Sequence, residues 1–254
     1  MIDLKKYSGL ALAFDGSKLL PQENGIEIGS RDVVNIGDVR PQLLNPELTC
    51  PTVFYYIFSN IDRKSLLKRK RLRFDMYVIP PNLAGIEYVK TLGTSAGKYP
   101  LLLEVVHGYL TLLLQTSNEE PGSIPQVKTT TIRLKKGEKL VIPPNHDFVF
   151  VNSRQTLSVV AIMYSSKCRM KNIFDDTRGA ASYVIRKNAR LETVLNPSFR
   201  NVSIVKPWKP ESIYKDFNLT AKTPIFKQIL RKYQRFKWLH DNSKIEWTNL
   251  PGCY

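Results

Sequence analysis

The residues that could carry acid–base or metal chemistry are few and widely spaced. The sequence has three histidines and three cysteines, namely His107, His146, His240, Cys50, Cys168 and Cys253. No CxxC pair and no Cys/His cluster is present, so the spacing of a zinc site is missing. Of the nearby carboxylates, Glu104 lies in an apolar run and Asp147 in a turn. We therefore predict no catalytic residue, no metal and no cofactor.

Basic residues form the second group with chemical potential. The net charge is +16, of which residues 61–74 carry +6 and residues 167–254 carry +11. Such asymmetry favours a polyanionic partner, nucleic acid before a membrane surface. A generally basic proteome would produce the same surplus, and that alternative stays open.

The first basic cluster is predicted on a short helix over residues 61–72 and at the residue directly after it, where seven basic residues accompany one acid. Lysine and arginine neutralise backbone phosphates, so this cluster is a candidate nucleic-acid contact. Its members are Arg63, Lys64, Lys68, Arg69, Lys70, Arg71 and Arg73.

The second cluster lies on a helix predicted over residues 224–239, whose apolar positions recur every three or four residues. Its aromatic residues could stack on bases or simply pack on the protein. A smaller third set, Arg133, Lys135, Lys136 and Lys139, surrounds a turn. The basic residues of the second cluster are Lys227, Arg231, Lys232, Arg235 and Lys237.

Short strands separated by turns must position these groups. β-branched and aromatic runs predict strands at 52–58, 73–79, 86–91, 102–106, 109–115, 127–134, 138–142, 148–152, 157–164, 181–187 and 201–205. Turns are predicted at 117–122 and 143–145. This spacing is typical of a barrel or jelly roll. No transmembrane segment and no signal peptide is predicted, so we expect a cytoplasmic protein without membrane insertion.

The segments 74–81, 87–93, 99–100, 104–108 and 112–115 resemble the cupin-type glucose-6-phosphate isomerases. The resemblance implies a mainly β, cupin (double-stranded β-helix or jelly-roll) barrel with N-terminal strands and a few peripheral helices. It implies a single domain over 1–254, with a core barrel at about 50–165. Residues 166–254 would form a C-terminal extension whose basic helix packs on the barrel. Pairing of two barrels into a homodimer is also an expectation.

The two cupin motifs keep their spacing but not their metal ligands. Where the family has two histidines, a glutamate and a further histidine, this sequence has Thr94, Ala96, Leu101 and Phe148. A divalent metal in such a barrel needs imidazole and carboxylate donors, which these side chains do not supply. His146 lies two residues before Phe148 and is predicted to serve a turn rather than a metal.

The phosphate-binding positions of the family are matched better. Thr91 and Gly93 correspond to them, and Tyr56 lies in a matching tyrosine-rich strand. A phosphorylated sugar and an ordinary structural role are equally compatible with these residues. Glu104 is three residues after Leu101, hence on the opposite strand face, and is predicted to be structural.

We therefore predict a non-catalytic cupin, derived from an isomerase, that binds nucleic acid or a ribonucleoprotein, with RNA placed above DNA. Two alternatives remain. One is an active glucose-6-phosphate isomerase, and the other is a sensor that binds a sugar phosphate without turnover.

Overall fold

A computed structural model describes residues 1–118 and 124–247 of the chain. The end of the predicted 117–122 turn and Cys253 lie outside these residues. The strands are β1 (Ile2–Asp3), β2 (Leu12–Phe14), β3 (Leu19–Pro21), β4 (Ile26–Glu27), β5 (Ser30–Asn35), β6 (Val53–Ser59), β7 (Asp62–Arg63), β8 (Leu72–Ile79), β9 (Leu83–Ala84), β10 (Glu87–Tyr88), β11 (Gly93–Ser95), β12 (Leu101–His107), β13 (Tyr109–Asn118), β14 (Gln126–Lys135), β15 (Lys139–Ile142), β16 (Asp147–Val151), β17 (Ser158–Ser165), β18 (Lys171–Ile173), β19 (Ser182–Lys187), β20 (Arg190–Leu195) and β21 (Val202–Ile204). The α-helices are α1 (Lys5–Ser8), α2 (Ile36–Val39) and α3 (Ile225–Lys232). Shorter 3₁₀ turns span Arg40–Gln42, Lys68–Lys70, Pro210–Ile213 and Tyr233–Leu239.

Two six-stranded sheets make the body of the molecule. One has the order β18-β11-β16-β13-β14-β21 and the other β15-β12-β17-β8-β6-β5. Every neighbouring pair in them is antiparallel except β14 with β21. The two sheets remain separate in the described residues, so the β-sandwich is a jelly roll rather than a closed hydrogen-bonded barrel. The predicted mainly β cupin fold is confirmed.

The central strands are buried on both faces. All eight residues of β17 are buried, and β8, its partner, is buried at seven of eight positions. One face packs into the sandwich interior, and the other is covered by the N-terminal segment and α3. Phe74 of β8, for example, packs on Phe226 of α3 with ring centroids 5.5 Å apart. Most strands predicted from β-branched and aromatic runs are present, because such residues are favoured where a strand is buried in a sheet.

The helix predicted over 61–72 is wrong. The segment holds β7, a turn and one 3₁₀ turn at Lys68–Lys70. The Asp62 carboxylate accepts hydrogen bonds from the backbone N–H groups of Leu67 and Lys68, at 3.0–3.1 Å and 3.0 Å. Lys64 and Ser65 adopt φ angles of 51° and 55°, which an α-helix does not allow. The side chain of Asp62 thus organises the loop in place of helical hydrogen bonds.

The predicted C-terminal helix is confirmed in position, as α3 followed by the 3₁₀ turn Tyr233–Leu239. A buried ion pair attaches it to the sandwich. Lys139 Nζ lies 3.0 Å from Glu104 Oε1, and the other Glu104 oxygen accepts the Ile225 N–H at 2.7 Å. The carboxylate therefore satisfies a backbone donor of the first turn of α3.

The β19–β20 hairpin extends a four-stranded sheet of order β20-β19-β10-β9 beside the sandwich. β19 was predicted, whereas β20 was not, and the predicted strand at 86–91 is reduced to the two residues of β10. Within the described part of the chain, no helix has the length and apolar character needed to cross a membrane.

Candidate functional site

Aromatic side chains fill the sandwich interior, where cupin sites are expected. Phe148 and Phe150 lie on the same face of β16, with ring centroids 5.0 Å apart. Tyr77 reaches across from the facing sheet to Phe150 at 5.3 Å, and Tyr55 stacks on Tyr77 at 6.2 Å. Burial raises the pKa of Tyr55 to about 12, so its hydroxyl stays neutral at physiological pH. The interior is thus a row of four packed rings.

The four positions where the family has metal ligands belong to this packed interior. Thr94, Ala96, Leu101 and Phe148 are 7%, 4%, 0% and 1% exposed. Thr94 has the single hydroxyl of the set, and it donates to the Leu92 carbonyl at 3.2 Å. In residues 1–118 and 124–247, no three His, Cys, Asp or Glu side chains are grouped as metal ligands would be. These side chains do not fit a divalent metal.

The family's phosphate-binding positions make hydrogen bonds inside the protein. The Gly93 N–H donates to Gln42 Oε1 at 2.8 Å, and the Thr91 N–H donates to the Phe150 carbonyl at 2.8 Å. The Phe174 ring lies directly on Gly93, since a Cβ added to this glycine would be 2.2 Å from Phe174 Cδ2. A phosphate at this position would have to displace both Gln42 and Phe174.

The structure does not bring Tyr56 to Thr91 and Gly93. Tyr56 lies on the outer face of β6, where its ring contacts Phe14 at 5.9 Å. Its neighbour Tyr55 points inward, and the Tyr55 hydroxyl accepts the Leu92 N–H at 3.3 Å. Neighbouring residues of a strand point to opposite faces of the sheet, so only one of the two tyrosines can face the interior. That tyrosine is Tyr55, not the predicted Tyr56.

The ionisable side chains close in sequence to the family's metal positions have structural partners. Glu104 faces α3 and pairs with Lys139, as described above, and burial raises the pKa of Glu104 to about 7. Asp147 begins β16, and burial raises its pKa while a hydrogen bond from Ser95 lowers it. His146 Nδ1 lies 2.9 Å from the Pro144 carbonyl, in the turn before β16. Each of these side chains is therefore directed to a partner within the protein.

The two basic clusters, about 160 residues apart in sequence, meet in space. The Tyr233 hydroxyl donates to the Lys70 carbonyl at 3.0 Å, and Lys70 Nζ lies 4.7 Å from the centre of the Tyr233 ring. A cavity of about 360 Å³, here called the basic cleft, opens at this junction. Its charged and polar lining comprises Arg69, Lys70, Arg71, Lys167, Tyr233, Lys237, His240 and Asp241.

The basic cleft is strongly positive. Five of its lining residues are Lys or Arg, against one acid, Asp241. His240 connects its two sides, since its Nδ1 lies 3.0 Å from Ser165 Oγ and its Nε2 lies 3.1 Å from the Tyr233 hydroxyl. Burial, followed by repulsion from Lys167 and Arg71, lowers the pKa of His240. No motif or spacing indicated that Lys167 or His240 would join this site.

Some predicted contact residues have other roles. Arg63 pairs with Glu23 at 3.3 Å, and Arg73 lies over the Tyr164 ring at 5.4 Å. Lys139, from the third basic set, is fully buried. Among the candidate aromatic residues, Phe236 is buried and presents no face for stacking, and the half-buried Trp238 packs on Phe217 at 4.8 Å. The remaining candidates are exposed, namely Lys64, Lys68, Arg69, Arg71, Lys227, Arg231, Lys232, Arg235 and Lys237.

Solved structures with partial similarity are cupin proteins or contain cupin domains. Drosophila melanogaster CENP-C bound to CAL1 is 18% identical, covering 42% of this chain and 71% of that chain, with a TM-score of 0.30. Solanum melongena vicilin is 15% identical over 47% of this chain, with a TM-score of 0.37. Lactobacillus farciminis oxalate decarboxylase is 13% identical over 47%, with a TM-score of 0.34. The matched part spans 31% of the chain in each of the last two.

Among curated proteins, none matches this sequence. A family model does match, over residues 51–198, which is more than half of the chain, and its description is glucose-6-phosphate isomerase. The matched residues run from β6 to beyond β20 and include both cupin motifs, the packed interior and the β19–β20 hairpin. The chain therefore belongs to the glucose-6-phosphate isomerase family, in its cupin form.

Proposed function

We propose that this protein is a non-catalytic member of its family that binds nucleic acid, with RNA placed above DNA, alone or within a ribonucleoprotein. The observation that carries the proposal is the meeting of the two basic clusters at Lys70 and Tyr233 around the basic cleft. Two exposed clusters on opposite sides of a molecule would each contact few phosphates. Clusters that meet form one surface able to neutralise several phosphates in a row.

The hydrogen bonds that engage the interior carboxylate support the non-catalytic part of the proposal, since Asp75 of β8 accepts from the Tyr164 hydroxyl and the Asn60 N–H. Moving a proton between sugar carbons requires a titratable group within hydrogen-bond reach of the substrate. The family's ligand positions hold Thr94, Ala96, Leu101 and Phe148, all buried against their neighbours. Glu104, three residues after Leu101, is engaged by Lys139 and Ile225 outside the interior.

Equilibrium binding of RNA and DNA across a salt series, on protein freed of nucleic acid, tests the proposal. Log affinity should fall linearly with log salt, since each neutralised phosphate releases counterions. Replacing three exposed cations of the 68–71 turn by glutamine should lower the slope by about 2 for a single strand, at about 0.7 per phosphate. The variant is Lys68→Gln/Arg69→Gln/Arg71→Gln.

A control variant with the same charge change distinguishes an effect at the basic cleft from an effect of total charge on binding. Lys18, Lys171 and Arg200 are exposed and do not line the basic cleft. The proposal predicts that their replacement by glutamine leaves the salt slope nearly unchanged. Equal effects of the two triple variants, or no binding by the wild-type protein, would overturn it.

A further inference from the structure

A larger cavity, of about 1040 Å³, lies apart from the basic cleft. It is bounded by the β19–β20 hairpin, the adjoining ends of β13 and β14, and the loop at 153–156. Four arginines line it, Arg133, Arg154, Arg186 and Arg190, and we call it the arginine groove. They come from three separate segments of the chain, because Arg186 and Arg190 share one hairpin, so no single run of the sequence contains all four.

The arginine groove carries unneutralised charge. Glu138 is the acid in its lining, and it pairs with Lys135 at 3.5 Å. Across residues 1–118 and 124–247, none of the four arginines forms an ion pair with a carboxylate. All four are exposed. Gathering like charges in one concave site is unfavourable without a counter-charge, and guanidinium groups match phosphate oxygens in bidentate geometry.

An aromatic side chain also lines the arginine groove. Tyr109 lines the groove and is 47% exposed, and the Arg154 guanidinium carbon lies 5.3 Å from the centre of its ring. The β12–β13 turn fixes its position, because Gly108 has a φ of +70° and a Cβ there would be 2.1 Å from the Leu157 carbonyl oxygen. The turn therefore holds a partly exposed ring among cations.

We propose that the arginine groove binds single-stranded nucleic acid, with phosphates on the four guanidinium groups and a base stacked on Tyr109. A positive groove with an aromatic platform is the arrangement that single strands use, since their bases are free to stack on a side chain. Bases within a duplex are stacked on each other and do not reach such a ring. The assignment rests on the proposed nucleic-acid function and adds a second contact region to it.

Fluorescence anisotropy with a labelled short oligouridine, measured across a salt series, tests the charge contribution. The Arg186→Gln/Arg190→Gln variant should lower the salt slope by about 1.4, at about 0.7 per lost phosphate contact. Lys187→Gln/Lys215→Gln is the matched control, because both lysines are exposed and neither lines the groove. Equal slopes for the two double variants would overturn the assignment.

Tyr109 variants test stacking separately from charge. Tyr109→Ala should weaken oligouridine binding about tenfold, whereas Tyr109→Phe should retain it, since stacking needs only the ring face. Binding of a duplex of the same length should change less than twofold in both variants. Uniform loss across both ligands, or none, would contradict a base on Tyr109.

The two proposals can fail independently. If the 68–71 triple variant loses affinity while the groove variants behave as their controls, nucleic-acid binding stands and the groove assignment falls. If groove variants lose affinity and the triple variant does not, the groove assignment stands and the basic cleft is not the site. If the wild-type protein does not bind oligouridine or duplex, both proposals fall.

Discussion

The buried pair between Lys139 and Glu104 allows a prediction whose size follows from the contacts. Lys139 is fully buried, and its ammonium group donates to the Gly137 carbonyl at 3.0 Å and the Ala221 carbonyl at 2.9 Å, besides Glu104. Lys139→Met keeps most of the side-chain volume and removes all three donors. Unpairing a buried charge costs about 3–5 kcal/mol.

The loss should depend on pH, because Glu104 can take up a proton. Its pKa is raised from 4.5 to about 7 by burial, which outweighs the attraction of Lys139. The folded state therefore binds more protons than the unfolded state between these values, and the free energy of unfolding of the wild type falls by about 3 kcal/mol as pH rises through this window. Removing Lys139 raises the Glu104 pKa further and extends the window above 7.

We expect Lys139→Met to cost about 2–3 kcal/mol near pH 6, mainly from the two carbonyl groups left without a donor. Near pH 8.5 the loss in free energy of unfolding should reach about 3–5 kcal/mol. At that pH the Glu104 carboxylate of the variant is either charged without a partner or protonated above its wild-type pKa. Urea unfolding at the two pH values measures this difference. Adding Glu104→Gln should remove the pH dependence. An identical loss at both pH values, or an unchanged dependence in the double variant, would refute this reasoning.

Three further predictions concern the interior and the basic cleft. Gly93→Ala should lower the free energy of unfolding, measured in urea, by about 1–3 kcal/mol, because the new methyl group overlaps Phe174. Adding Phe174→Ala should relieve part of that loss. Strictly additive effects of the two substitutions would contradict the contact. Thermal melting should be unchanged by glucose 6-phosphate, by manganese or by a chelator, because the interior is packed; a ligand-dependent rise would contradict this. RNA affinity should increase as pH falls from about 8 to about 6, because an anion in the cleft favours protonated His240, whose pKa is lowered in the free protein. His240→Gln should make RNA affinity less dependent on pH. An equally steep pH dependence in this variant would exclude His240 as its source.

The strands of the middle third were predictable because one physical cause, burial in a sheet, controls both sequence and structure there. Leu101–His107 and Ser158–Ser165, for example, are rich in apolar and β-branched residues and lie buried within a sheet. The missed strand β20 has no buried residue and no regular alternation, since Leu191 and Glu192 are both half-buried. It follows Asn188 and Ala189, whose positive φ angles form the hairpin turn.

The error at 61–72 has a different cause. Counting charges and apolar positions there gave a helix, but the outcome depends on the Asp62 carboxylate capturing backbone N–H groups. A side chain that competes with helical hydrogen bonds is visible in sequence only as an aspartate near a helix start, where it could equally serve as a cap.

The candidate site depends on contacts distant in sequence. Whether residues 68–71 and 233–240 lie together is decided by how α3 docks, through Glu104, Lys139 and Ile225. The ring of Phe174 on Gly93 likewise comes from a segment without a motif. Composition indicated a polyanion partner, but only the fold brings the two basic clusters together.

Cross-linking of bound RNA, followed by identification of the modified peptides, tests the central claim most directly. The account predicts cross-links in the peptides that hold residues 68–71 and 233–240, because these lie at one cleft. Cross-links confined to other surfaces, or none above a protein-free background, would contradict it.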